Sequence, residues 1–138
     1  MYSSAIYPAP ESSLSVAARH KLQRVCEKLQ LNAQDHLLEI GTGWGGMAIY
    51  AAQHYGCRVT TTTLSKEQYA FTAQRIEQLG LQDKVTLLLK DYRDLTGEYD
   101  KLVSIEMIEA IGHQYLDTYL AKCASLLKPE GLALIQAI

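Results

Sequence analysis

Apolar residues come in two rhythms along this chain. Short continuous runs at about 36–40, 57–62, 84–89, 101–105 and 132–138 have the length of buried strands, and the segments between them repeat apolar positions every three or four residues. The first such segment, about 13–30, sets Leu14, Ala17, Leu22, Val25 and Leu29 near one helix face. Further helices are expected over about 46–55, 65–79 and 114–127. The third opens with Ser65-Lys66-Glu67-Gln68, a capping-box pattern, and is closed by Gly80. Lys128-Pro129-Glu130-Gly131 reads as a turn between the last helix and the last strand. Residues 1–10, with Pro8 and Pro10, read as an extended arm.

Strands that alternate with helices predict an α/β fold: an open, Rossmann-like parallel sheet of about five strands with helices on both faces. Right-handed crossovers give the strand order 3-2-1-4-5. The arm and first helix (1–31) and the sheet core (36–138) form one unit. Ligands of such sheets bind at the carboxyl ends of the strands, beside strand one. Four segments converge there: Gly41–Gly45, Thr63–Gln68, Asp91–Arg93 and Glu106–His113. The last strand leaves an apolar edge, Leu132-Ala133-Leu134-Ile135, of a kind that proteins cover. A core fragment of a longer protein, lacking its C-terminal strands, is the expectation. A homo-oligomer joined through that edge is a further one.

Composition narrows the function classes. The 138 residues are 48% hydrophobic and 20% charged, as in ordinary globular domains, and the net charge of −2 gives no basic face for nucleic acid. No run of about 18 apolar residues offers a transmembrane helix, and Met1-Tyr2-Ser3-Ser4 lacks a signal peptide's basic start, so a cytoplasmic location is expected. Cys26, Cys57 and Cys123 are far apart and read as buried thiols; the four histidines show no metal-ligand spacing.

The most informative stretch is His36-Leu37-Leu38-Glu39-Ile40-Gly41-Thr42-Gly43-Trp44-Gly45-Gly46. Glycine at every second position after a buried strand marks a turn where backbone must approach a nucleotide-like ligand. Gly41, Gly43 and Gly46 also satisfy G-x-G-x-x-G, so a dinucleotide is the rival ligand. The next strand weighs against it. A dinucleotide site calls for an acid about 20 residues on, to hold a ribose hydroxyl. Cys57 to Ser65 supplies none at the strand end. Glu39 before the glycines favours a ligand carrying a cation, and S-adenosylmethionine, with its ammonium and sulfonium, is such a ligand.

Taken together, Tyr2-Ser3-Ser4-Ala5-Ile6-Tyr7, Leu37 to Gly45, Thr63-Leu64-Ser65-Lys66-Glu67-Gln68, Asp91-Tyr92-Arg93, Ser104 to His113 and Leu134 to Ile138 resemble the cyclopropane-fatty-acyl-phospholipid synthases and mycolic acid cyclopropane synthases. The resemblance runs over essentially the whole chain. It implies a class I methyltransferase core acting, with S-adenosylmethionine, on the double bond of unsaturated phospholipid acyl chains at a membrane surface. By position, Tyr2 and Ser3 would close over the methionine end of the donor. Glu39, Gly41, Gly43 and Gly45 would line its amino-acid and ribose portions. Thr63 and Gln68 would hold the ribose or adenine side, and Asp91 with Tyr92 would bracket the adenine.

Alkene methylation leaves a carbocation, and a base must then remove a proton. The resemblance implies bicarbonate as that base. Glu109 matches the glutamate that holds it, and Ile138 matches the backbone position beside it. Ser4 stands where those enzymes often carry cysteine, Gln136 where they carry histidine, and Ala110 where a histidine often adjoins the glutamate. Serine and glutamine can still donate hydrogen bonds to an anion. Taken alone, Glu109 also reads as an acid at a helix N-terminus, and Ser65 is accounted for by capping. Two other functions stay open on the sequence: methylation of a small soluble acceptor, and donor binding without activity.

Overall fold

The computed structural model describes residues 14–105 and 112–136, in which five parallel strands form one sheet of order β3-β2-β1-β4-β5. The elements in chain order are α1 (Leu14–Lys28), β1 (His36–Ile40), α2 (Gly46–Tyr55), β2 (Arg58–Thr63), α3 (Lys66–Gln78), β3 (Val85–Leu89), β4 (Tyr99–Ile105), α4 (Leu116–Ser125) and β5 (Leu127–Gln136). Single 3₁₀ turns at Tyr92–Asp94 and His113–Tyr115 lie before β4 and α4. Sheet order and strand alternation agree with the pattern read from the sequence.

The alternation of side chains along β1 sorts the core into two layers. Leu37 packs with Leu22, Val25 and Cys26 of α1, Leu29 just beyond it, Met47 to Ala52 of α2, and Ile76 of α3. Leu38 and Ile40 face the other way, against Leu102, Leu95, Tyr119, Cys123 and Leu126. Each fully buried leucine contributes about 1.5–3 kcal/mol by leaving water, so β1 is the strand the fold can least spare. All three cysteines are buried, and burial holds the Cys26 and Cys57 thiols up at about 12 and about 11.

Polar anchors fix the end of the sheet remote from the glycine loop. The buried Lys101 Nζ donates to the carbonyls of Leu29 (2.6 Å) and Gln30 (3.1 Å), just past α1, and lies 3.6 Å from the Asp35 carboxylate. Asp100 accepts from the His36 amide at 2.7 Å and pairs with Lys128 at 3.0 Å. These bonds hold the Asp100 carboxyl below its ordinary range.

One element differs from expectation. Lys128–Gly131, read as a turn, lies inside β5, which begins at Leu127. Tyr99 pairs with Leu127 and Lys101 with Leu132, so five steps of β5 run beside two of β4. The excess forms a bulge whose tip is seated close to β4. A Cβ on Gly131 would stand 2.9 Å from Leu127 and 3.0 Å from the Asp100 carbonyl. Glycine there permits a close backbone approach, as at many bulges. The Pro-Glu-Gly signature marked a break in pairing without telling a bulge from a turn. The helix expected over about 114–127 is also shorter, starting after a 3₁₀ turn and ending at Ser125. Gly131→Ala is expected to destabilise the fold by about 1–3 kcal/mol through this clash, read as a fall in thermal midpoint.

Candidate active site

β1, β2 and β3 end level with one another. Ile40 lies opposite Thr62, and Thr63 opposite Leu89. Beyond β1 the glycine loop turns on three left-handed residues, Gly41 (φ 95°), Gly43 (φ 57°) and Gly45 (φ 89°). Its first turn is tied to β2: the amides of Gly41 and Thr42 both donate to the Thr62 carbonyl, at 3.1 and 2.9 Å. Gly43 and Gly45 do different jobs. A Cβ on Gly45 would press within 2.8 Å of Thr72 and 3.3 Å of Ile49, so this glycine lets α2 and α3 pack. A Cβ on Gly43 would meet nothing within 4 Å. Open space on a left-handed backbone is what a cradle for a ligand requires.

Beneath the loop lies Glu39, only 4% exposed. Thr61 Oγ1 donates to its carboxyl at 2.7 Å, and Thr42 Oγ1 lies 2.7 Å from Thr61 Oγ1. Burial pushes the Glu39 carboxyl up to about 8, and the Thr61 bond pulls against that rise. At the end of β2, Thr63 donates to Gln68 Oε1 (2.9 Å) and accepts from the Ser65 amide (3.1 Å), while Ser65 caps α3 through the Gln68 amide (3.2 Å). Thr63 and Gln68 thus meet directly. No carboxylate stands at this strand end, where a dinucleotide site would place one.

After β3, Asp91 accepts from the Arg93 amide at 2.9 Å and from its guanidinium at 3.0 and 2.8 Å. This fork holds the Asp91 carboxyl below its ordinary range. Arg93 is well exposed, so solvent screens this ion pair. Tyr92 packs edge-on against the buried Tyr119, with ring centroids 4.9 Å apart. Tyr119 in turn hydrogen-bonds Ser104 near the end of β4. Gln136 is half-buried at the end of β5, opposite Ile105, the last residue of β4. At about 4.8 Å per strand, it stands some 14 Å across the sheet from β2. Tyr2, Ser3, Ser4, Glu109, Ala110 and Ile138 lie outside the described residues.

Residues 1–138 match the family model described as mycolic acid cyclopropane synthetase. The chain belongs to the mycolic acid cyclopropane synthetase family. It is 43% identical over 139 residues to a probable fatty acid methyltransferase of Pseudomonas putida, covering 99% of this chain and 35% of that protein. It is 42% identical over 138 residues to the cyclopropane-fatty-acyl-phospholipid synthase of Escherichia coli K12, covering all of this chain and 35% of the relative. Among solved structures, mycolic acid cyclopropane synthase CmaA1, complexed with SAH and CTAB, superposes with a TM-score of 0.93 at 28% identity, over 98% of this chain and 47% of its own. The chain therefore spans about a third of the curated relatives' length.

Within this family member, the residues that sequence reasoning missed are those that hold the loops rather than line them. Thr42 and Thr61 join the glycine loop to Glu39. Thr62 Oγ1 donates to the Lys90 carbonyl (2.6 Å) just before Asp91, and Arg75 reaches the Trp44 carbonyl (3.4 Å). Thr60-Thr61-Thr62-Thr63 in a predicted buried strand was the available signal, since buried hydroxyls need partners.

A raised Glu39 pKa has a consequence for stability. Between pH 4.5, the carboxyl's ordinary value, and about 8 the folded chain keeps a proton that the unfolded chain releases, so stability falls as pH rises through that window. Glu39→Gln, which cannot ionise, is expected to match wild type near pH 5 and to exceed it at pH 8 by on the order of 1–3 kcal/mol. Thermal melts of both proteins at the two pH values measure the difference.

Proposed function

We propose that this chain is the donor-binding core of a longer S-adenosylmethionine-dependent methyltransferase that modifies the double bond of unsaturated phospholipid acyl chains, forming a cyclopropane or a methyl branch. The carrying observation is the glycine loop with its open Gly43 position above a buried acid, in a chain of this family. A carboxyl there suits the ammonium of the donor's amino-acid end, and in its ionised form it would repel a pyrophosphate. The donor, when bound, supplies an electrophilic methyl group. The protein's part is to seat it: Glu39 and Gly41 to Gly45 at the amino-acid and ribose portions, Thr63 with Gln68 on the next strand, Asp91 and Tyr92 at the adenine, and Tyr2 with Ser3 closing over the methionine end.

The acceptor chemistry is assigned to the β4–β5 side. Glu109 follows β4, Gln136 ends β5, and Ser4 and Ile138 complete the group that would hold the proton-accepting base, bicarbonate in this reading. No helix among the described residues is long and apolar enough to cross a membrane. In this reading the acyl chain is met at a membrane surface, and substrate residues lie in the rest of the enzyme. The outer edge of β5 would be continued there or paired with a second copy.

In the complete enzyme, Glu109→Gln is expected to lower turnover on vesicles of unsaturated phospholipid by about 10²–10⁴ while leaving S-adenosylhomocysteine affinity nearly unchanged. Gly43→Val is expected to abolish donor binding by filling the open position. Near-normal turnover in Glu109→Gln would reduce that residue to a helix-end charge. Turnover on a soluble amine but not on lipid would move the substrate class.

A further inference from the structure

The loop that receives the donor and the acid beneath it are not joined by chain geometry alone. Thr61 has one hydroxyl proton, and it is directed at Glu39 across 2.7 Å. Its oxygen must therefore accept from Thr42, whose Oγ1 lies 2.7 Å away on the glycine loop. In this arrangement the relay runs Thr42 to Thr61 to Glu39, the order that serves the ionised carboxylate. All three residues are buried, with Thr61 fully so, which makes both bonds dry.

We propose that Thr61 is a positioning residue for donor binding: its hydroxyl, bridged between Glu39 and Thr42, aims the carboxyl at the donor's ammonium and pins the glycine loop above it. This rests on the donor reading above. A carboxyl that is buried and only singly hydrogen-bonded is protonated over much of the neutral range, and only its ionised form attracts a cation strongly. The Thr61 bond is the contact that favours ionisation; burial opposes it, leaving the group at about 8. Donor capture is therefore expected to strengthen as pH rises through that region and to expel a proton from Glu39.

Other groups on this side of the sheet do not take over the role. β2 presents Val59 and Thr63 beside Thr61, and Cys57 at its start is a neutral thiol. On β4, Val103 lies opposite Glu39, while Lys101 is two residues away and engaged with Leu29, Gln30 and Asp35. The buried residues of α2, Met47 to Ile49 with Ala51 and Ala52, carry no charge, and Thr72 and Ile76 are those of α3. From α1 come the buried Lys21 and Cys26, the latter a neutral thiol. Burial and a single hydroxyl bond thus dominate the Glu39 carboxyl.

The test is the pH dependence of S-adenosylhomocysteine binding to the complete enzyme, by calorimetry between pH 6 and 9, in wild type, Thr61→Val, Thr61→Ser and Thr42→Val. Valine keeps the shape and removes the hydroxyl; serine keeps the hydroxyl. Thr61→Val is expected to weaken binding about tenfold at pH 7 and to move the acid limb of the profile up by about one pH unit, the size of one charge-assisted hydrogen bond. Thr61→Ser is expected to restore both. The ligand's own amine titrates identically in every variant, so the displacement isolates Glu39. Thr42→Val, which spares the Thr61 bond to Glu39, is expected to weaken binding with the limb left in place. A Thr61→Val profile superimposable on wild type, or a loss equal at every pH and not repaired by serine, would overturn the proposal. It would leave the donor reading standing as long as wild type binds the ligand. Wild type that binds NAD instead would overturn both.

Discussion

A carboxyl group sealed beneath a turn of glycines is the constraint on which this site depends. Glu39 is only 4% exposed, so the protein must answer it, and Thr61 does so while also holding Thr42. β2 generalises the device. Thr60 bonds His36, Thr62 takes the carbonyl before Asp91, and Thr63 gathers Ser65 and Gln68. Each hydroxyl that the strand buries is spent on a neighbouring element, and three of the four fasten a loop at the carboxyl edge. A strand of valines would bury more favourably and leave those loops untethered.

That tethering distinguishes one half of the sheet from the other. The glycine loop, the β2–α3 turn and the Asp91 turn all sit on the β1–β3 side, held by short bonds within the protein. On the other side, Ser104 lies one residue from the end of β4 and Gln136 at the end of β5, and the Ser104–Tyr119–Tyr92 contacts link the two halves. Hydrogen bonds within the protein thus fix the loops of the β1–β3 side, and aromatic and sheet contacts carry the β4–β5 side.

Much of this was legible in the sequence because the signals were periodic or chemically singular. Apolar runs of strand length gave β1 to β4, crossover handedness gave their order, and glycine at every second position marked the left-handed loop after β1. Ser65 and Gln68 foretold a cap that the structure contains. What escaped depended on pairing across distance. Nothing in Lys128–Gly131 reveals that β4 continues beside it, so a bulge read as a turn. Nothing local reveals that Thr61 meets Glu39, 22 positions away, or that Asp91 is held by Arg93 rather than left open. Polar residues inside a strand are read as a weakness of the pattern, when in this fold they carry the wiring of the site.

The most direct measurement is a crystal structure of the complete enzyme with S-adenosylhomocysteine. The expected result places the ligand's ammonium within hydrogen-bond reach of Glu39, directly or through one water, its backbone contacts at Gly41 to Gly45, and its adenine beside Asp91 and Tyr92, with the Thr42–Thr61–Glu39 bonds intact. A ligand bound elsewhere, or bound over the glycine loop with its ammonium turned away from Glu39, would contradict the central claim that the buried carboxyl selects the donor.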